Sequence, residues 1–230
     1  MKALILAGGP GTRLRPEVSD IPKPMADVAD RPFLEWQLDL LEANGVTDVV
    51  ISIGYEGEVI RDHFGDGSGF GVDVEYVVED EPLGTGGAVR EARPLLADED
   101  EFLVINGDTY LDIDLSAFVA FHRDQPTVSS LALSRVTERK KGGFVDLEGD
   151  RVRQFVETER EGGIVNAGFR LFGPGVFDYM PDRTRFQLSE VFERLVDDDE
   201  VTGYLTDGYF KDIGTPERYH EINERFAEEA

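Results

Sequence analysis

The first 108 residues alternate short apolar runs with helical patterns, and nothing else in the chain narrows its fold as much. Residues 3–7, 49–53, 72–78 and 102–106 read as buried strands. Between them Leu34, Leu38 and Leu41 recur at helical spacing, with Asp30 and Pro32 as start signals and Gly45 as a stop. Residues 58–64 and 86–96 read as further helices. Apolar strands joined by helical crossovers imply a mostly parallel sheet covered on both faces. After Asp108 the rhythm changes. Residues 115–123 read as helix, then 128–136, 144–147, 152–156 and 164–172 as short strands, with turns at Gly142-Gly143 and Gly149-Asp150. Helices are expected near Phe177 and over 188–196 and 217–227. No linker separates the halves, so residues 1–230 read as one α/β domain, its second half antiparallel or mixed and extending the same sheet.

Composition supports a packed core, since 40% of residues are apolar and 10% aromatic, and it excludes a disordered chain. Acids number 48 against 23 bases, a net charge of −25. Neither a nucleic-acid backbone nor an anionic membrane is an expected partner for such a chain. The bases are 18 arginines and 5 lysines. Many acids with few lysines point to a chain adapted to concentrated intracellular salt, which screens carboxylate repulsion; an ordinary acidic cytosolic protein is the plainer alternative. With no cysteine, disulfides, thiolate metal sites and thiol nucleophiles are excluded. The apolar run 3–7 is too short for a signal peptide, and no run approaches the ~18 residues of a membrane span, so a cytoplasmic location is expected.

The first strand runs straight into Leu6-Ala7-Gly8-Gly9-Pro10-Gly11-Thr12-Arg13-Leu14. Glycines let a backbone approach a phosphate closely and turn its N–H groups inward, and Arg13 can fork onto phosphate oxygens. A dinucleotide loop would need a third glycine where Leu14 stands, and a Walker loop needs Gly-Lys-Ser/Thr, which is absent. Ten residues after Arg13, two prolines brace a scarce lysine in Pro22-Lys23-Pro24-Met25. Local charge agrees: residues 1–25 hold Lys2, Arg13, Arg15 and Lys23 against Glu17 and Asp20, a basic island in an acidic chain.

These two segments together resemble the sugar-1-phosphate nucleotidyltransferases, in which a sugar 1-phosphate attacks the α-phosphorus of a nucleoside triphosphate and pyrophosphate leaves. The resemblance implies a Rossmann-like three-layer sandwich with a mostly parallel central mixed sheet. Residues 1–108 would be the nucleotide-binding half, and 109–230 the sugar-binding half and lid. It implies that Leu6, Ala7, Gly8, Gly9, Gly11 and Thr12 meet the nucleotide and that Arg13 holds the β- and γ-phosphates. Lys23 would neutralise the reacting phosphates.

Two carboxylates stand out beside glycines. Asp108 closes the strand Val104-Ile105-Asn106-Gly107-Asp108, where α/β sheets present groups to ligands, and Asp212 lies in Asp212-Ile213-Gly214-Thr215-Pro216 just before a helix. Mg²⁺ takes one or two carboxylates plus phosphates, and the resemblance implies that Asp108 and Asp212 share one. Catalysis is then expected to rest on Arg13, Lys23, Asp108 and Asp212.

The stretch Glu79-Asp80-Glu81-Pro82-Leu83-Gly84-Thr85-Gly86-Gly87, with Gly54-Tyr55 and Phe64-Gly65-Asp66-Gly67-Ser68, is similar to the short branch of the family that holds D-glycero-D-manno-heptose 1-phosphate and mannose-1-phosphate guanylyltransferases. Glu79, Gly84 and Thr85 are therefore expected at the base. A carboxylate at Glu79 suits the paired N–H donors of guanine, which favours GTP; a thymidylyl- or uridylyltransferase acting on glucose 1-phosphate or a similar sugar is the alternative. The resemblance places Gly143, Glu157, Asn166 and Gly168 at the sugar, where Glu157 can accept from ring hydroxyls. The family usually has a lysine after that glutamate; here Thr158 stands there, and Arg160 is a candidate substitute. His63, His122 and His220 show no ligand spacing and read as surface or helix residues. A silent nucleotide-binding regulatory paralogue and a choline-phosphate cytidylyltransferase are the remaining classes. Oligomeric state is left open, a homo-oligomer included.

Overall fold

The structure, a computed structural model, describes residues 1–9, 11, 14 and 21–228, with 138–141 by backbone alone. Its strands are β1 (Ala3–Leu6), β2 (Asp27–Val28), β3 (Arg31–Pro32), β4 (Asp48–Ile53), β5 (Asp73–Val78), β6 (Phe102–Asn106), β7 (Thr109–Leu111), β8 (Ser129–Glu148), β9 (Arg151–Phe172), β10 (Val201–Thr206) and β11 (Phe210–Asp212). Its α-helices are α1 (Phe33–Ala43), α2 (Gly57–Phe64), α3 (Gly84–Glu91), α4 (Arg93–Leu96), α5 (Leu115–Arg123), α6 (Leu188–Asp197) and α7 (Pro216–Ala227). Lys23–Met25, Ser68–Phe70 and Pro174–Tyr179 form 3₁₀ turns.

Seven strands make one sheet in the order β10-β8-β9-β6-β1-β4-β5. β6, β1, β4 and β5 are parallel neighbours, and β10 is parallel to β8. Only β9 runs against its neighbours. The fold is thus mixed α/β with a mostly parallel central sheet. Side chains alternate across it, because successive strand residues face opposite sides. Ala3, Ile5, Val49, Ile51, Leu103 and Ile105 face α1, α2 and α5. Leu4, Val50, Phe102 and Val104 face α3, α4 and α6. A third, smaller cluster packs Ile222 and Phe226 of α7 on Val28 and Phe33, with Trp36 edge-on to Phe226 at 4.4 Å.

The helices follow from their residues. α6 places Leu188, Val191, Phe192 and Leu195 on one buried face, each burial contributing roughly 1.5–3 kcal/mol. At its start the Gln187 N–H donates to Glu190 Oε1 at 3.0 Å. Asp114 caps α5 by accepting from the Ala117 N–H, and Thr215 caps α7 by accepting from the Arg218 N–H.

Two expectations are corrected. Gly142 and Gly143 do not turn the chain: they continue β8, opposite Thr158 and Glu157 of β9. The turn falls at Gly149, where φ is +59°, so four expected strands fuse into one long hairpin whose irregular registers bend it. The expected helix over 86–96 begins at Gly84 and breaks at Ala92 into α3 and α4, because Pro94 in the first turn of α4 has no N–H to continue the ladder. No helix among the described residues is long and apolar enough to cross a membrane.

Candidate active site

β1 delivers the glycine loop to the carboxyl edge of the parallel strands. The Ala7 N–H donates to the Ser52 carbonyl at 2.8 Å, and the Gly107 N–H to the Leu6 carbonyl at 3.0 Å. Those bonds hold the exits of β1, β4 and β6 together. Gly8 lies under the Glu79 carboxylate, so closely that a β-carbon on Gly8 would stand 2.3 Å from Glu79 Oε1. Glu79 is itself anchored: Ser52 Oγ donates to Oε1 at 2.9 Å and the Leu83 N–H to Oε2 at 3.1 Å. Gly11 lies against Lys23. Gly9 is exposed. Thr12 and Arg13 fall outside the described residues.

Lys23 follows directly. Pro22 and Pro24 set a 3₁₀ turn, and Nζ reaches across to donate to Asp108 Oδ2 at 2.5 Å. Thr109 Oγ1 donates to the other carboxylate oxygen at 3.0 Å. Asp212 arrives from far along the chain. The ladder of β7 and β11 sets Asp212 opposite Thr109, and the Ile213 N–H donates to the Asp108 carbonyl at 2.9 Å. Asp212 accepts from the Gly214 N–H at 3.0 Å and from Arg218 Nη1 on both oxygens, at 2.8 and 3.0 Å. Glycine is needed at 214, since a β-carbon there would lie 2.6 Å from Asp212 Oδ1 and 3.5 Å from Lys23 Nζ. The two sequence motifs thus meet at one spot.

Beside it opens a cavity of about 420 Å³ between the sheet and α6. Asp108 and Asp212 line it, and so do Gly143, Glu157, Asn166 and Gly168 of the β8–β9 hairpin. Asn166 Oδ1 accepts from the Gly168 N–H at 3.0 Å. Thr85 also lines it, but its hydroxyl is committed to structure: it donates to Gln187 Oε1 and accepts from the Leu188 N–H, tying α3 to α6. Gly84 precedes it with φ +75°. Arg160 turns away from the cavity, stacking 4.5 Å from the Phe144 ring and donating to Asp146.

Three residues escape the sequence reading. Gln37 of α1 is fully buried and donates to the carbonyls of Asn106 and Thr109 at 2.8 and 2.6 Å, holding the turn that carries Asp108. Its signal is an amide on the apolar face marked by Leu34, Leu38 and Leu41. Arg218 stands in the first turn of α7, where a cation opposes the helix dipole and so calls for a local acid. Arg170 interrupts the apolar run 164–172, is buried, and lines the cavity. Burial pushes its pKa down to about 10, with Glu157 and then Asp108 pulling the other way, so it stays charged at neutral pH. His122 lies on a helix as expected but is buried, with Nδ1 2.8 Å from Ser130 Oγ.

A sequence profile described as nucleotidyl transferase matches residues 2–229. The chain belongs to the nucleotidyl transferase family. The D-glycero-alpha-D-manno-heptose 1-phosphate guanylyltransferase of Campylobacter jejuni is 36% identical over 222 residues, covering 96% of this chain and 97% of that one. The mannose-1-phosphate guanylyltransferase of Mycobacterium tuberculosis is 37% identical over 223 residues, but the match spans 62% of that longer protein. Among solved structures, HddC from Yersinia pseudotuberculosis complexed with GMP-PN superposes with a TM-score of 0.85 at 33% identity, covering 98% of this chain and 99% of that one. Family membership makes the chain a nucleotidyltransferase, with the fold anticipated from its motifs.

Proposed function

We propose that the chain transfers a guanylyl group from GTP to a sugar 1-phosphate, releasing pyrophosphate. The observation that carries this reading is the meeting of Lys23, Asp108 and Asp212 beside a cavity that the two aspartates line together with Glu157 and Asn166. The guanylyltransferases among its relatives support the choice of GTP, and Glu79, its carboxylate anchored by Ser52 and Leu83, is the residue we read as meeting guanine. The chain reads as a single nucleotidyltransferase domain, residues 1–108 serving the nucleotide and 109–230 the sugar.

The donor set fits a magnesium ion. Asp108, in the turn before β7, and Asp212, at the end of β11, offer hard oxygens, and each is matched by a cation, Lys23 and Arg218. Among the described residues no group of three or more histidines, cysteines or carboxylates gathers as a metal cage. Two carboxylates completed by substrate phosphates is the arrangement that Mg²⁺ prefers. When bound, the ion would supply charge neutralisation at the phosphates.

The chain's own residues account for the rest. An oxygen of the sugar phosphate forms a bond to the α-phosphorus of GTP, and the bond from that phosphorus to the bridging oxygen of pyrophosphate breaks. The attacking phosphate is already an anion near neutral pH, so no general base is called for. Lys23 counters charge on the reacting phosphates, and the Gly8–Gly9–Gly11 backbone with Arg13 receives the triphosphate. Glu157 and Asn166 orient the sugar. Catalysis is positioning plus preorganised charge. The acid excess is read as adaptation to concentrated salt.

A screen of four nucleoside triphosphates against D-mannose, D-glucose and D-glycero-D-manno-heptose 1-phosphates, with pyrophosphate readout and with magnesium present or chelated, tests this. Pyrophosphate released fastest with GTP, and lost on chelation, is the expected result. Release that favours dTTP or UTP would overturn the choice of donor.

A further inference from the structure

Arg170 is a buried cation that no anion contacts among the described residues. It stands in β9 between Phe169 and Leu171, which face α1 and α5, so strand alternation sends Arg170 to the other side. There Nη1 donates to Asn106 Oδ1 at 2.9 Å and to the Gly168 carbonyl at 3.3 Å. Nε is shut off from solvent without a hydrogen-bond partner among the described residues. The guanidinium carbon lies 6.0 Å from the Phe192 ring centre. Glu157 and Asp108 act on it through space, without a hydrogen bond. A charge taken out of water at such a place is costly unless an anion meets it.

Bracing Asn106 is one role, but a neutral donor would serve it, and it uses only Nη1. The surroundings say more. Among the described residues lining the cavity the cations are Arg170 and Arg218, and Arg218 is committed to both oxygens of Asp212. Arg170 therefore remains for an incoming anion. Glu157 of the hairpin and Asp108 both act on its charge and line the same cavity, while the glycine loop and Glu79 lie outside the cavity lining. The cavity is where the anionic end of a sugar 1-phosphate must lie if the sugar meets Glu157 and the reacting oxygen points towards Asp108.

We infer that Arg170 receives the phosphate of the sugar 1-phosphate through its non-attacking oxygens and so fixes the acceptor in line for transfer. This rests on the transferase reading above and names the residue that recognises its second substrate. The ligand chemistry is a phosphate monoester dianion, for which a guanidinium is the suited partner.

The test is initial-rate kinetics of pyrophosphate release with GTP and sugar 1-phosphate varied separately, for wild type, Arg170→Gln and Arg170→Lys. A charge-assisted contact sets the scale: R170Q should raise the acceptor KM about thirty-fold and leave the GTP KM within about two-fold, and R170K should recover part of the loss. Inorganic phosphate should compete with the acceptor, and more weakly so in R170Q. An unchanged acceptor KM, a fall in kcat alone, or a rise confined to the GTP KM would overturn the assignment. If R170Q does not fold, phosphate inhibition of wild type decides: competition with GTP rather than with the acceptor overturns it. If wild type turns over no sugar 1-phosphate, the transferase reading fails. Calorimetry with inorganic phosphate then still judges Arg170, equal affinity for wild type and R170K counting against it and weaker binding by R170K supporting it.

Discussion

Lys23 Nζ lies 2.5 Å from Asp108 Oδ2, across 85 residues of sequence. A proline-braced lysine thus contacts the aspartate that follows β6 directly. Removing either should cripple transfer while leaving the sheet intact, because both sit at its carboxyl edge and outside its core. Lys23→Ala should lower kcat by about 10²–10³-fold, the scale for losing one preorganised donor at a developing charge. Asp108→Ala should lower it at least as far. Near-wild-type pyrophosphate release by D108A would sink the metal assignment.

Gln37 touches no substrate in this arrangement, yet it holds the carbonyls on either side of Asp108. Gln37→Leu keeps the volume roughly but leaves two buried acceptors without their donor. A loss of about 2 kcal/mol or more in unfolding free energy is expected, with a lower kcat and little change in the GTP KM. Urea denaturation and steady-state kinetics on one preparation would check both.

Glu79 is pinned by Ser52 and Leu83, so its carboxylate is presented in one orientation. Glu79→Gln swaps one acceptor oxygen for a donor without changing shape. The GTP KM should rise about ten-fold or more, on the scale of one base-edge hydrogen-bond pair, and the ratio of GTP to UTP turnover should fall. An unaltered ratio would remove Glu79 from base selection.

His122 is buried beside Ser130, and burial lowers its pKa from the ordinary 6.5. In the window just below 6.5 the unfolded chain therefore binds more protons than the folded one, and stability falls as pH drops. The window lies between the ordinary value and the depressed folded one. His122→Gln should flatten the fall in melting temperature over that interval. An unchanged slope would show that His122 does not carry it.

A net charge of −25 on 230 residues makes repulsion a bulk property of the fold. Melting temperature should rise as KCl is raised from about 0.1 M, where the screening length is ~10 Å, towards about 1 M, where it is ~3 Å. A melting temperature independent of KCl would remove the salt-adaptation reading and leave the enzyme reading untouched.

Much of the candidate site was legible because its motifs are local. Gly8, Gly9 and Gly11 follow a buried strand, Lys23 sits between prolines, and Asp108 stands in the turn just after β6. Each pattern spans a few residues and carries its own physical reason. The long β8–β9 hairpin was not legible, since Gly142 and Gly143 look like a turn until their pairing with Thr158 and Glu157 is known. Arg170 and Gln37 stayed hidden for a related reason. A polar residue in an apolar stretch announces a partner without saying which one.

By itself the sequence determined the alternation of apolar strands and helices, the glycine-rich loop, and the acidity surrounding a basic island. Those follow from burial periodicity, backbone freedom and net charge, all properties of neighbouring residues. Tertiary structure decided which distant groups meet. Asp212 reaches Asp108 through β7 and β11, three residues each, too short for any propensity to specify their register. Arg170 faces the cavity because the register of β9 on β6 sets it opposite Val104, on the side of the sheet that carries α3, α4 and α6. The pairing of segments a hundred residues apart is a property of the whole packed sheet, and it turns separate motifs into one site.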